Sequence, residues 1–435
     1  MRIWIVKYGE SVPFLPDSVG SHLFRSGELA RRLVERGHEV VWWTGQFEHP
    51  TKLYHRIPGN EVPIPGSENS KVVLLYSPGY SSNISLMRFY DHWRIGRSFR
   101  EAAVKEPVPD IIVASMPTPE LVRASSDYAD RHGVPLMVDV RDLWPDVIAD
   151  RLEKKFGFAP KWLLYPYERD VKHSLSHADS VTAITQGCLE WAQSKGSRTD
   201  AQADHDRVFR LASRAISRNQ TRWQEIETAW KVRGFDPNSG KTIFAWAGSL
   251  TNQQATRALV QAQTLLSKEV RDRIQVVICG RGDLQNQILS VKQACEHMIY
   301  AGFVPRDEVQ FLYDNSHYGL LCYDNTPDFQ ASFPNKFGEY LMSGLSVVTT
   351  INGVMQQEYG DQGFIDTVAS TPHGIAEALT RLADLKPGEP IRARARAVFQ
   401  KDFDADIVYE AFCDHIEERV RAGSAAVEKK DTLAG

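Results

Sequence analysis

Short apolar runs rich in Val and Ile alternate along this chain with stretches in which apolar residues return every three or four positions. The first spacing predicts buried strands and the second helices with one packed face. Residues 3–6 form the first run, ended by Lys7-Tyr8-Gly9, and a polar, Pro-containing loop leads to Gly20. Leu23, Leu29, Ala30 and Leu33 then recur at helical spacing as far as Gly37, and residues 38–44 form the second run. A strand–loop–helix–strand unit of this kind predicts a parallel sheet whose first loop lies at the carboxyl edge, where ligands bind. Gly20 and Ser21 stand at that edge, either as backbone close to a ligand or as a plain helix start. Further strands are predicted at 71–76, 109–115, 135–140 and 178–185, with helices at 84–103, 119–132 and 162–175.

The plan repeats from Lys241. Strands are predicted at 242–247, 274–278, 298–303 and 318–323 and helices at 254–267 and 309–315, so the strand ends of this half share one edge. Gly248-Ser249-Leu250 follows the first of these strands, and Cys279-Gly280-Arg281-Gly282-Asp283 the second, where two glycines would let backbone approach a ligand. The stretch 186–240 fits neither series. It carries a polar helix at 222–233 with Trp223, Ile226 and Trp230 on one side. Asp200, Asp204 and Asp206 lack the turn glycine and distal Glu of a calcium loop and are expected to be solvated.

Residues 333–350 are the most informative stretch, a short helix running directly into an apolar strand. Pro334 suits the first helical turn and Gly344 the left-handed residue past the last one. Phe337 and Leu341 share one face, while Lys336, Glu339 and Ser343 fall on another. The start of this helix, at Pro334 and Asn335, presents unpaired N–H groups that with Lys336 would hold a phosphate. Glu339, one turn on, would accept hydrogen bonds from sugar hydroxyls. An ordinary surface helix with a Lys/Glu pair gives the same pattern. Gly338 costs the helix about 1 kcal/mol against alanine, so it marks a close approach of ligand or backbone.

Composition narrows the picture by exclusion. A chain of 435 residues suggests two domains, and a net charge of −4 with a pI near 6.4 lacks the basic footprint of a nucleic-acid binder. The five cysteines are scattered, without a C-x-x-C pair or a His cluster at zinc spacing, so no metal site is expected. With no run of about 18 apolar residues and no leader pattern, a cytoplasmic location is expected. The helix at 84–103 carries Arg88, Arg94, Arg97 and Arg100 beside Leu86, Phe89, Tyr90 and Trp93. It suits an anionic membrane surface, a lipid phosphate acceptor, or simple solvation of one face. After the strand at 135–140, Arg141-Asp142-Leu143-Trp144-Pro145-Asp146 places two carboxylates and an arginine at the sheet's functional edge. Asp142 is the candidate acid–base group, or else a cap paired with Arg141.

AGSL at 247–250, CGRGDL at 279–284, AGFVPRDEV at 301–309 and FPNKFGEYLMSGLSVV at 333–348 resemble the family 4 glycosyltransferases. RRLVERGHEV at 31–40, VDVRDLWPD at 138–146 and HADSVTAIT at 177–185 extend the resemblance over nearly the whole chain. RDLWPD and PNKFGEYLMSG are most similar to a bacterial subgroup that builds capsule, O-antigen or exopolysaccharide. The resemblance implies the GT-B fold, with two Rossmann-like doubly wound α/β domains facing across a cleft. These are an N-terminal acceptor-side domain at 1–212 and a C-terminal nucleotide-sugar-binding domain at 241–398. A terminal helix at 399–421 is expected to cross back to the first domain, followed by a disordered tail at 422–435. The implied reaction is metal-independent transfer of a sugar, with retention, from a nucleotide diphosphate sugar to a saccharide or lipid-linked saccharide.

By position, Glu339 matches the second acid of the family's E-x7-E motif, while the first falls at Ala331. The Arg and Lys that relatives place after Gly248 are missing, leaving Arg257 nearby and Lys336 or Arg281 to take their work. The family's histidine after the strand at 135–140 is also absent, and Asp142 stands near its place. The resemblance thus implies Asp142, Lys336, Glu339 and Arg281 as catalytic. It implies Gly248, Ser249, Gly280, Gly282, Phe303, Val304, Pro334 and Asn335 on the donor. Asp402, Asp404 and Asp406 are expected to be helix-start acids. Two alternatives stay open: a sugar-nucleotide epimerase of the same fold, and a nucleotide-sugar-binding protein without catalysis.

Overall fold

The computed structural model describes residues 1–15, 23–49, 52–55, 57–82, 85–157, 161–216 and 219–434. The chain divides into two compact units, Met1–Arg210 with Val408–Gly435, and Leu211–Ile407. Gly20 and Ser21 lie outside the described residues.

The first unit is built on β1 (Arg2–Val6), β2 (Glu39–Gly45), β3 (Glu61–Pro63), β4 (Lys71–Leu75), β5 (Ile111–Ser115), β6 (Leu136–Val140), β7 (Ser180–Ala183) and β8 (Arg207–Val208). They form one sheet in the order β3-β4-β2-β1-β5-β6-β7-β8, parallel except where β3 pairs with β4. β5 and β6 are buried along their whole length, which is why their sequences are near-continuous apolar runs. Trp4 on β1 packs edge-on against Trp43 at 5.0 Å, and Phe99 of the helix Leu86–Ala103 covers both. The short edge strands β3 and β8 were not predicted, because too few residues repeat to show a period.

The second unit holds β9 (Thr242–Ala247), β10 (Ile274–Cys279), β11 (Met298–Gly302), β12 (Tyr318–Leu321), β13 (Ser346–Thr349) and β14 (Ile365–Thr367). All are parallel, in the order β11-β10-β9-β12-β13-β14. Each sheet therefore reverses its direction of growth once, between β1 and β5 in the first unit and between β9 and β12 in the second. Those reversals are where open α/β sheets form their binding crevices.

Two expectations from the acids need correction. Asp206 is buried and ion-paired with buried Arg198 at 2.8 Å, and it also accepts from the Val181 N–H at 2.7 Å. It is a structural group, unlike the solvated acid expected, because β8 returns the chain to the sheet edge. Asp402 accepts from the Tyr359 hydroxyl at 2.8 Å, while Asp404 does sit at a helix start, accepting from the Asp406 N–H. That helix, Ala405–Ala434, continues past Arg421, where a disordered tail was predicted. Its residues from Val408 onward belong to the first unit. There Arg36 binds Glu410, Asp414 and Glu417, and His38 meets Glu417 at 3.0 Å. Among the described residues no helix is long and apolar enough to cross a membrane.

Candidate functional site

The helix Asn335–Met342 in the second unit is fixed at both ends and along one face. Pro334 occupies the N-cap, one position before the predicted first turn, and its carbonyl accepts the Phe337 N–H at 2.8 Å. At the other end Gly344 takes φ 72°, as expected. The Gly344 N–H bonds to Leu341 at 2.9 Å and the Leu345 N–H to Tyr340 at 3.0 Å, the paired bonds of a left-handed helix stop. Phe337, Tyr340 and Leu341 are fully buried, and the Tyr340 ring fills the space that a side chain at Gly319 would need. Gly338 meets Phe403 at ordinary packing distance, so its closeness serves the core and not a ligand.

On the other face the Lys336 Nζ donates to the Tyr323 hydroxyl at 2.7 Å and lies 5.5 Å from the Trp246 ring centroid. It also stands where a Cβ on Gly248 would be. Gly248 follows β9 and Tyr323 lies just beyond β12, so the ammonium sits over the reversal point of this sheet. Glu339 is half-buried one turn on, and its carboxylate makes no hydrogen bond among the described residues. Burial raises its pKa above the usual value, while the charges of Lys336 and Arg306 oppose that shift. A desolvated carboxylate without a hydrogen bond is costly.

The glycine loops pack closely on each other. The room at Gly280 is taken by the Gly248 carbonyl, and that at Gly282 by the Leu250 carbonyl. Gly248 N–H bonds to Cys279 at 3.0 Å and Leu250 N–H to Arg281 at 2.9 Å, so the two loops nest against each other. Arg281 is exposed and its guanidinium lies 5.7 Å from the Phe303 ring, itself 67% exposed. Val304, at 5%, belongs to the core. Ser249 and Asn335 are exposed, and Ala331 ends the short helix Pro327–Gln330. Tyr323, Trp246 and Arg306 were not singled out from the sequence, since nothing local ties them to Lys336 or Glu339.

At the carboxyl edge of the first sheet the structure assembles a buried charge network around Asp139, on β6. Asp139 is 0% exposed and takes two bonds from Arg25, at 3.0 and 2.7 Å, one from Arg141 at 2.6 Å and one from Thr182 at 2.9 Å. Burial alone would raise its pKa, but the charges and hydrogen bonds of Arg25 and Arg141 hold it well below the usual carboxylate range. Arg141 also binds Glu10 at 2.6 Å, and Glu10 holds Ser26. Arg141 therefore pairs with Asp139 and Glu10, not with Asp142. A carboxylate inside an apolar strand was the available clue, because such a group must be paired. Lys7, at the end of β1, is pushed down to about 8 by burial and by the nearby Arg141. Asp142 is half-buried and accepts its neighbour's N–H, from Leu143, at 2.9 Å. Asp146 binds Trp191 at 2.7 Å and Lys195 at 2.8 Å, a structural use of the second carboxylate.

One trio could ligate a metal, contrary to the expectation of no His cluster. His173 and His177, four apart on the helix Lys161–His177, meet Asp130 of the helix Pro119–His132, with their donor atoms within 4.8 Å. Both helices run back from the carboxyl edge, so this trio lies toward the opposite edge of the first sheet.

Residues 24–203 match the glycosyl transferase 4-like domain and residues 241–384 the family described as glycosyl transferases group 1. No curated protein matches the chain by sequence. Among solved structures, HepE from Anabaena in complex with UDP is 14% identical, with a TM-score of 0.60 over 96% of this chain and 100% of its own. Sucrose-phosphate synthase from Thermosynechococcus elongatus is 13% identical, with a TM-score of 0.66 over 97% and 99%. A putative UDP-N-acetylglucosamine 2-epimerase from Listeria monocytogenes is 12% identical, with a TM-score of 0.57 over 96% and 97%. With both domain matches in order on two doubly wound parallel sheets, the chain belongs to the glycosyltransferases of the GT-B fold.

Proposed function

We propose that this glycosyltransferase moves a sugar from a nucleotide diphosphate sugar to a hydroxyl of a saccharide or lipid-linked saccharide in bacterial surface polysaccharide assembly. The observation that carries the reading is the pair on one helix face. A lysine stands over the sheet's reversal point, and one turn on is a half-buried carboxylate that makes no hydrogen bond among the described residues. Cleavage of the sugar–phosphate bond leaves negative charge on the diphosphate. The Lys336 ammonium, with Arg281 as a second cation, would meet that charge more strongly in the transition state than in the bound donor. Glu339 would accept from donor hydroxyls, and the exposed Phe303 offers a ring for the base to stack on. HepE was solved with UDP and with UDP-glucose, which makes uridine diphosphate sugars the first donors to try.

On the acceptor side Asp142 would take or orient the hydroxyl proton. Retention at the anomeric carbon and independence from metal complete the reading, the cations of the second unit doing what a divalent ion does elsewhere. Leu86, Met87, Tyr90 and Trp93 are exposed along the helix Leu86–Ala103, which suits peripheral contact with a membrane. Its distal arginines are less available, since Arg97 pairs with Glu101 and Arg100 with Asp127. The epimerase-like neighbour keeps a second reading in play, and incubation of donor without acceptor separates the two by whether an epimer forms.

Calorimetric titration of UDP-glucose into the parent protein and Glu339→Gln tests the donor site. Binding about ten-fold weaker in the variant is expected, the loss of a charged hydrogen bond. Equal affinity would remove Glu339 from the site. Transfer is expected to survive EDTA, and a loss restored by Mg²⁺ would overturn metal independence.

A further inference from the structure

In the first unit the helices Pro119–His132 and Lys161–His177 pack side by side, and their last turns meet. His173 and His177 are four apart on the second helix, and side chains so spaced share a face. Their rings stack at 3.9 Å between centroids. Asp130, in the last turn of the first helix, meets both: its Oδ2 is 2.9 Å from His177 Nδ1 and 3.7 Å from His173 Nε2. Tetrahedral zinc, with ligands at about 2.0–2.1 Å, holds its ligand atoms about 3.3 Å apart. The two separations bracket that value, and all three donor atoms lie within 4.8 Å of one another. Small side-chain rotations therefore complete the set.

One atom of the trio lacks a partner. His173 Nε2 is shielded from solvent and makes no hydrogen bond. Such an orphaned buried nitrogen is costly, so its place in a cluster of donors calls for an explanation. A plain His–Asp hydrogen bond accounts for His177 and Asp130 but not for His173. Burial, with the charges of Arg123 and His177, lowers the His173 pKa, which leaves the ring in the neutral form that a metal ion takes. Asp127 also lies 3.9 Å from His173 Nε2, yet its carboxylate is held by Arg123 at 2.7 Å and Arg100 at 3.0 Å. Asp130 is not spent in this way. It has no Arg or Lys partner among the described residues and faces only the two histidines. Both helices end here, and the partial negative charge of a helix C-terminus favours a cation.

We propose that Asp130, His173 and His177 form a zinc site that clamps the last turn of the helix Pro119–His132 to that of the helix Lys161–His177, with water in the fourth position. Two imidazoles and one carboxylate suit zinc, whereas magnesium and calcium take sets made of oxygen. All five cysteines are buried, so no exposed thiol competes for the ion. Asp130 stands 47 residues from His177 in the chain, and the full set exists only in the folded unit. Zinc that binds the folded form in preference stabilises it by mass action. The trio lies toward the edge of the sheet opposite Asp142, so the clamp is separate from the transfer reaction and does not rest on the proposed function.

The test is calorimetric titration of Zn²⁺, Mg²⁺ and Ca²⁺ into the full chain after it has been stripped with a chelator and desalted, with thermal melts in parallel. Zn²⁺ is expected to saturate one site and to raise the melting temperature, while Mg²⁺ and Ca²⁺ do neither. His173→Gln and Asp130→Asn should each weaken Zn²⁺ about ten-fold or more and lose the rise, while melting near the parent temperature without the ion. His132→Gln, at the same helix end but with its ring stacked on Tyr128, should bind Zn²⁺ like the parent. Bound Co²⁺ should give visible absorption bands that His173→Gln abolishes, a signature that a merely structural histidine would not carry. Parent-like Zn²⁺ affinity in both variants would overturn the proposal, as would Mg²⁺ binding as tightly. Zinc bound to the trio without any rise in melting temperature would overturn the clamp. Because no donor is present, either failure leaves the donor site untouched, and loss of donor binding in Glu339→Gln leaves the zinc site intact.

Discussion

At the carboxyl edge of the first sheet, Asp139 is answered by Arg25, Arg141 and Thr182, and Glu10 by Arg141 and Ser26. At the same edge of the second sheet, Lys336 has a single neutral partner in Tyr323 and Glu339 has no hydrogen bond among the described residues. Both edges carry the charged residues that the position invites. The difference shows which charges the fold uses up and which it leaves for chemistry. A buried acid with several donors is scaffolding, and its removal should be felt as stability. A carboxylate and an ammonium held on a rigid helix without mutual satisfaction should be felt as binding and rate.

The comparison breaks most sharply at Arg25. Arg25→Met leaves Asp139 buried with half its charge partners, and unfolding in urea should show a loss of about 3–5 kcal/mol. The paired change Arg25→Met with Asp139→Leu should cost less than Arg25→Met alone, because no orphaned charge remains. At the second edge the opposite pattern is expected. Lys336→Met should lower kcat by about 10²–10³-fold with little change in melting temperature, the size of effect seen when one transition-state donor is lost. A large fall in stability instead would make Lys336 another scaffold group.

Asp142 sits between these cases, since it accepts from the adjacent Leu143 N–H yet occupies the functional edge. Asp142→Asn should lower transfer on the order of 10²-fold with donor affinity and melting temperature kept. Near-parent transfer, or a melt many degrees lower, would place it with the scaffold. The smallest effect concerns Glu120, whose folded pKa of about 8 exceeds its ordinary 4.5. Between those values the folded chain holds a proton that the unfolded chain has released, so stability falls as pH rises through the window. His92, depressed in the fold, opposes this only below its ordinary 6.5. Melting temperature should therefore drop from pH 6.5 to pH 8 in the parent, and the drop should shrink in Glu120→Gln.

Most of the architecture was legible because it rests on local periodicity. The apolar runs found β1, β2, β4, β5, β6 and β7 and the central strands of the second sheet, and Pro334 and Gly344 bracketed the helix Asn335–Met342 to within one position. The edge strands β3, β8 and β14 escaped because a few residues show no period. Within the site, Lys336 and Glu339 could be named since both lie one turn apart on one short helix. Tyr323 and Trp246 could not, because they reach Lys336 only after β9 and β12 have paired side by side.

The sequence by itself determined two doubly wound sheets, the family, and the helix that carries the cation and the acid. The tertiary structure alone decided which charges are spent. Arg141 lies beside Asp142 in the chain, yet it bonds to Glu10, 131 residues away, and Arg25 reaches Asp139 across 114. It likewise decided that Gly280 and Gly282 make room for neighbouring carbonyls. Periodicity records which face of an element is buried, but a buried charge is satisfied by whichever segment the sheet order brings alongside, and that order is set by long-range pairing.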